Sequence, residues 1–195
     1  MKRKITSIVI IVLLINSFAI TANAGTSFPD VDDDAEYAWA VELTKNMGLF
    51  KGDENGNFNP YSGITRAEFA TVVCRMMVGE FVDTHSSRIG FSDVPPTHWA
   101  FKYITWAYEN GIVSGYGNDV FGPNDPVTYE QAIKMLLCAV GCEDEALDTG
   151  GWPYGYITVA EKLGILIGVE NTFGESITRS NIAVLIGNLD SVNFG

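Results

Sequence analysis

Ile64-Thr65-Arg66-Ala67-Glu68 returns twice in altered form, as Val127-Thr128-Tyr129-Glu130-Gln131 and as Ile177-Thr178-Arg179-Ser180-Asn181, and each copy opens an apolar run at helical spacing. Thr65 followed by Glu68 is a capping box: the threonine hydroxyl accepts from the amide of Glu68, and the Glu68 carboxylate accepts from the amide of Thr65. Thr128 with Gln131 repeats the pair, and Thr178 holds the same place in the third copy. Three equivalent helices, N-capped by Thr65, Thr128 and Thr178, are the expectation. Arg66 and Arg179 do not fit that logic, because a cation in the first turn opposes the helix macrodipole. A helix start that carries a guanidinium is suited to an anion, above all a carboxylate or phosphate that arginine can grip with two parallel bonds.

The repetition extends well beyond these five residues. Phe28-Pro29-Asp30-Val31 and Phe91-Ser92-Asp93-Val94 lie 63 residues apart, and that offset holds without a gap through Gly48/Gly111, Gly52/Gly115, Phe58/Phe121, Pro60/Pro123 and Thr65/Thr128. A third segment lacks the Phe-x-Asp-Val opening, yet Trp152, Tyr156, Ala160, Gly164 and Gly168 follow Trp99, Tyr103, Ala107, Gly111 and Gly115 at an offset of 53. Its loop is three residues shorter, 14 residues from Gly164 to Thr178 against 17 in the other units. Three units therefore follow a leader: 25–89, 90–149 and a divergent 150–195.

Each unit reads as helix, loop, helix, so the fold class is mainly α. In the second unit Trp99, Tyr103, Ile104, Trp106 and Ala107 form an apolar stripe that Asn110-Gly111 terminates. The Gly- and Pro-rich loop that follows carries Asn118-Asp119, which predicts a tight turn or short hairpin. A second helix starts at Tyr129, and the stretches 80–90 and 143–151 read as polar connectors. A single helix pair cannot bury such faces, so the three units are expected to pack on one another.

Composition limits the functions. Residues 1–24 join Lys2, Arg3 and Lys4 to the apolar run Ile8–Ile15 and end Ala22-Asn23-Ala24, the pattern of a secretory leader. Without them the net charge moves from −12 to −15. So acidic a protein is a poor partner for nucleic acid or for anionic lipid, and the apolar run is too short to span a bilayer; no membrane association is expected after cleavage. Three cysteines, Cys74, Cys138 and Cys142, are an odd number for an exported chain, so at least one is free or pairs between molecules, and they are read as small apolar residues in the core. Asp53-Glu54-Asn55-Gly56-Asn57 has Phe58 and Ile64 where a calcium loop needs Gly and Glu, so it is read as a turn. His85 and His98 lack ligand spacing; no metal, cofactor or catalytic residue is expected.

Phe91-Ser92-Asp93-Val94-Pro95, His98-Trp99-Ala100, Gly111-Ile112-Val113-Ser114-Gly115-Tyr116, Phe121-Gly122-Pro123 and Thr65-Arg66-Ala67-Glu68 resemble the S-layer homology domain, usually present as three tandem copies. The resemblance implies a pseudo-threefold bundle of the three units, whose grooves hold anionic secondary cell-wall polysaccharide, often with a ketal-linked pyruvate. It implies a secreted protein attached non-covalently to the cell wall or S-layer of a bacterium, with no enzymatic activity. Carried over by position, the implied glycan-binding residues are Asp30, Arg66 and Glu68 in the first unit, Asp93, Trp99, Gly115 and Tyr116 in the second, and Trp152 and Arg179 in the third. Tyr129 stands where the family has arginine, which leaves two anion sites. The alternatives are a module for protein assembly at the cell surface, with self-association, and the anchor of a longer surface enzyme. A glycan hydrolase built on two carboxylates finds no separate segment once the three units are assigned.

Overall fold

The computed structural model describes residues 28–80, 82, 84, 89–170 and 173–193; the expected leader and His85 lie outside them. Seven helices account for the regular structure: α1 (Ala38–Asn46), α2 (Arg66–Val78), α3 (Phe101–Glu109), α4 (Tyr129–Ala139), α5 (Glu143–Asp148), α6 (Tyr154–Lys162) and α7 (Arg179–Asp190). Among the described residues there is no named strand, and no helix is long and apolar enough to cross a membrane.

The second helices begin as their capping residues dictate. Thr65 Oγ1 accepts from Glu68 N at 3.3 Å and Glu68 Oε2 accepts from Thr65 N at 2.8 Å. Thr178 Oγ1 accepts from Asn181 N at 3.3 Å. At Thr128 only the reciprocal arm forms: its amide donates to Gln131 Oε1 at 3.3 Å, while its buried hydroxyl has no hydrogen-bond partner among the described residues. In the loops, Tyr116 N donates to Val120 O at 2.9 Å across Asn118 and Asp119, whose φ values of 51° and 58° are those of a type I′ hairpin turn. Asp53 Oδ1 accepts from Asn55 N and Asn57 N, so the calcium-like stretch is the turn expected of it.

One connector is more ordered than expected. Residues 143–148 form α5 because Glu143, Asp144 and Glu145 sit in the first turn, where the macrodipole favours carboxylates, and because Ala146 is fully buried. Gly155 lets α6 approach: a Cβ there would land on the carbonyl of Ala146.

The units pack by exchange. α2 packs on α3, α4 on α6, and α7 on α1, so each second helix takes its main partner from the next unit and the third unit closes on the first. At the centre the residues preceding the three threonines meet. Val127 N donates to Ile64 O and Ile177 N to Val127 O, each at 3.0 Å, and Ile64, Val127 and Ile177 are buried. Isolated bridges complete the circuit: Thr65 with Pro126, Thr128 with Ser176, and Thr178 with Gly63. The apolar faces merge into one core that runs from Phe28 to Leu189. Cys74 is buried and Cys138 and Cys142 are half-buried, all three as free thiols. Burial pushes the thiols of Cys74 and Cys138 up to about 12, which makes both poor nucleophiles near neutrality.

Candidate functional site

The helix starts that sequence reasoning offered to an anion are engaged within the chain. Arg66 N donates to Asp125 O at 2.9 Å and Ala67 N to Pro123 O at 3.0 Å, so the loop of the second unit caps α2. The guanidinium follows the same path. Arg66 Nε donates to Phe121 O at 3.0 Å and Nη2 to Ser114 O at 2.8 Å, with the rings of Tyr116 and Phe121 at 4.5 and 4.6 Å. Arg179 repeats this on the first unit: its amide bonds Ser62 O, its Nε bonds Phe58 O at 2.7 Å, and Phe50 and Phe58 flank it at 4.9 Å each. Burial pulls both guanidinium groups below their ordinary value. Each arginine is a rivet between units, with only Nη1 lacking an acceptor among the described residues.

Asp30 and Asp93 hold the loops that receive these rivets. Asp93 Oδ1 accepts from Phe121 N at 2.9 Å and Oδ2 from Gly122 N at 2.7 Å. Asp30 binds Phe58 N and Asn59 N in the same way, at 2.7 and 2.6 Å. At Asp93 burial would raise the pKa, but the two amide donors outweigh it and hold the carboxyl below its ordinary value. Gly115 has a steric reason to be glycine, because a Cβ would come within 2.6 Å of the Phe91 ring and 2.7 Å of Val120 O. The sequence therefore marked the frame on which the grooves are hung more than the grooves themselves.

The surface between units is where aromatic rings meet solvent. Trp99 and Trp152 are about half exposed, at 58% and 48%, and Trp99 stacks on His98. Lys134 lies 5.6 Å from the Trp152 ring and 5.4 Å from that of Tyr156. The third seam, between α7 and α1, holds a groove of about 450 Å3 that sequence reasoning missed. Glu36, Tyr37, Trp39 and Tyr61 line it from the first unit, and Ile167, Glu170, Thr178, Asn181 and Asn188 from the third. Tyr37 Oη donates to Tyr61 Oη at 3.1 Å, and desolvation together with that bond pushes the Tyr37 phenol up to about 12. The 63-residue register sets Glu36 opposite Trp99 and hides Trp39, which lies one turn later in the same groove. Tyr129 is half-buried at its seam, its amide on Glu175 O, and burial raises its phenol.

In sequence the chain is similar to known surface proteins. A cell surface protein of Thermoanaerobacter kivui is 35% identical over 188 residues, covering 95% of this chain and 24% of that protein. The middle cell wall protein of Brevibacillus brevis is 31% identical over 192 residues, 92% of this chain and 17% of its own length. A cellulosome-anchoring protein of Acetivibrio thermocellus is 30% identical over 116 residues, 58% and 26% respectively. The chain thus spans about a quarter or less of each of these relatives. The family model of the S-layer homology domain matches residues 27–70 and 90–133, each from the Phe-x-Asp-Val opening into the second helix. The chain accordingly carries two S-layer homology domains, which place it among secreted proteins attached to the cell wall or S-layer.

Proposed function

We propose that the chain is a non-covalent wall-anchoring module that binds anionic, pyruvate-bearing secondary cell-wall polysaccharide in the grooves between units, with residues 150–195 acting as a third, divergent copy. The observation that carries this reading is the exchange of helices, which sets one half-exposed tryptophan, Trp39, Trp99 or Trp152, beside each of the three seams. A ring exposed on a rigid seam is a platform for a sugar face. Arg66, Arg179, Asp30, Asp93 and Gly115 shape those seams from behind, Tyr116 flanks the rivet, and Glu68 fixes the helix start. No step of chemistry is needed for this role, and no catalytic activity is proposed.

Sedimentation with purified sacculi tests the reading. The full chain should co-sediment with sacculi that carry the polysaccharide and remain soluble with sacculi stripped of it. Equal retention on both, together with concentration-dependent self-association, would instead favour a protein-assembly module.

A further inference from the structure

We propose that Lys51, Arg75 and Lys102, at the seam of α2 and α3, form the site that receives the carboxylate of an acidic sugar, and that Glu80 is a resident carboxylate which the ligand displaces. The inference rests on the wall-anchoring reading and names which seam, and which side chains, recognise the charge.

Three separate elements bring cations to one acid here. Lys51 Nζ lies 2.6 Å and Arg75 Nη2 3.2 Å from Glu80 Oε1, and the field of Lys102 reaches the same carboxylate. Arg75 and Lys102 also share the face of Tyr103, at 5.6 and 4.8 Å from its centroid. Among the described residues, the charges that act on Glu80 are these three cations, on a chain whose net charge is −12. Arg75 Nε is buried and has no hydrogen-bond partner among the described residues, so the cluster holds an unused donor. Arg75 Nη1 donates to Leu49 O at 3.4 Å and Nη2 faces Glu80, whereas Arg66 and Arg179 have each given two nitrogens to carbonyls of their own frame.

The register of the repeats puts this cluster at positions that line a groove in another seam. Lys51, Arg75 and Lys102 correspond to Ile167, Asn188 and Trp39, all three of which line the groove of about 450 Å3 between α7 and α1. That groove contains no cation and two acids, Glu36 and Glu170. In the α4/α6 seam the same positions are Ser114, Cys138 and Gly155. Among the described residues, only the α2/α3 seam unites a cationic trio with a half-exposed tryptophan, Trp99. The side chains of Lys51 and Glu80 are 63% and 53% exposed, and an ion pair so open to water contributes little, so a ligand carboxylate exchanges for Glu80 at small cost. A ketal pyruvate and a uronic acid both supply that carboxylate.

Calorimetric titration of the full chain with three probes decides it: a wall fragment bearing a pyruvate ketal, the same fragment after acid removal of the ketal, and a uronate oligosaccharide. The double variant Lys51→Ala/Lys102→Ala changes two exposed side chains and should weaken binding of the ketal fragment by about two- to thirtyfold, the range of two exposed ion pairs. Glu80→Gln should tighten it by about two- to fivefold, the range of an exposed ion pair. Preference for ketal over uronate, or the reverse, identifies the source of the carboxylate and supports the site. If the double variant binds as the parent does, or if Glu80→Gln weakens binding or leaves it unchanged, the inference is overturned while the anchoring reading stands. If the parent chain retains no affinity for intact sacculi, it is the anchoring reading itself that fails.

Discussion

A guanidinium held between two rings and two carbonyls cannot be replaced by any other side chain at Arg66. Removing charged hydrogen bonds of this kind costs about 1.5–3 kcal/mol each at most, and stacking adds to it, so Arg66→Ala should lose on the order of 2–4 kcal/mol of stability in urea unfolding. Arg66→Lys should recover little of it, because an ammonium lacks the planar fork. Asp93 yields a second expectation, with a definite sign. Its folded pKa lies below the ordinary carboxylate value of about 3.9, so its contribution is fully present above that value and is lost as pH falls through the depressed one. Acid unfolding curves should therefore steepen below about pH 4, and Asp93→Asn should remove part of that dependence. The sequence marks Arg66 as odd for a helix and offers it to an anion, whereas the guanidinium is taken up by the loop of the next unit. Arg66 meets Phe121 and Ser114 across 55 and 48 residues of chain, a distance over which capping and dipole rules are silent.

Elements were legible where one local rule governed them. The caps at Thr65 and Thr178, the hairpin at Asn118-Asp119 and the turn at Asp53 each follow from a few adjacent residues and appear in their expected places, while at Thr128 the hydroxyl arm of the cap is missing. α5 did not stand out, because so short a helix depends on tertiary packing, here the burial of Ala146 and the close approach of its carbonyl to Gly155 of α6. Two glycines at interfaces separate steric necessity from slack. Gly115→Ala meets a backbone carbonyl that cannot yield, and should cost about 1–3 kcal/mol in thermal or chemical unfolding, as overpacking does. Gly187→Ala meets only the far edge of Trp39, a ring that is half in solvent. It should cost less than about 1 kcal/mol, within the range of well-tolerated packing changes, while shifting tryptophan emission as the ring moves outward.

Repetition made the threefold count legible, but not the exchange of partners, since sequence periodicity fixes which faces are apolar and leaves open whose face covers whose. The exchange sharpens one expectation for the whole molecule. A fragment of residues 25–89 would hold α1 without α7 and α2 without α3, and should show neither a cooperative thermal transition nor the helix content of the same residues in the full chain, as circular dichroism would reveal. The seam that closes the ring has a further effect, on time. Arg179 reaches Phe58 across 121 residues, and the packing of α7 on α1 and the bridge of Thr178 to Gly63 span comparable lengths of chain, so closure of the ring rests on a set of very long-range contacts. A polypeptide exported from its N-terminus has α1 outside the cell long before α7 arrives. Until then α1 has an uncovered face, and the interval between emergence of the first helix and arrival of the last sets how long the nascent anchor remains exposed to proteases and to other unfinished chains.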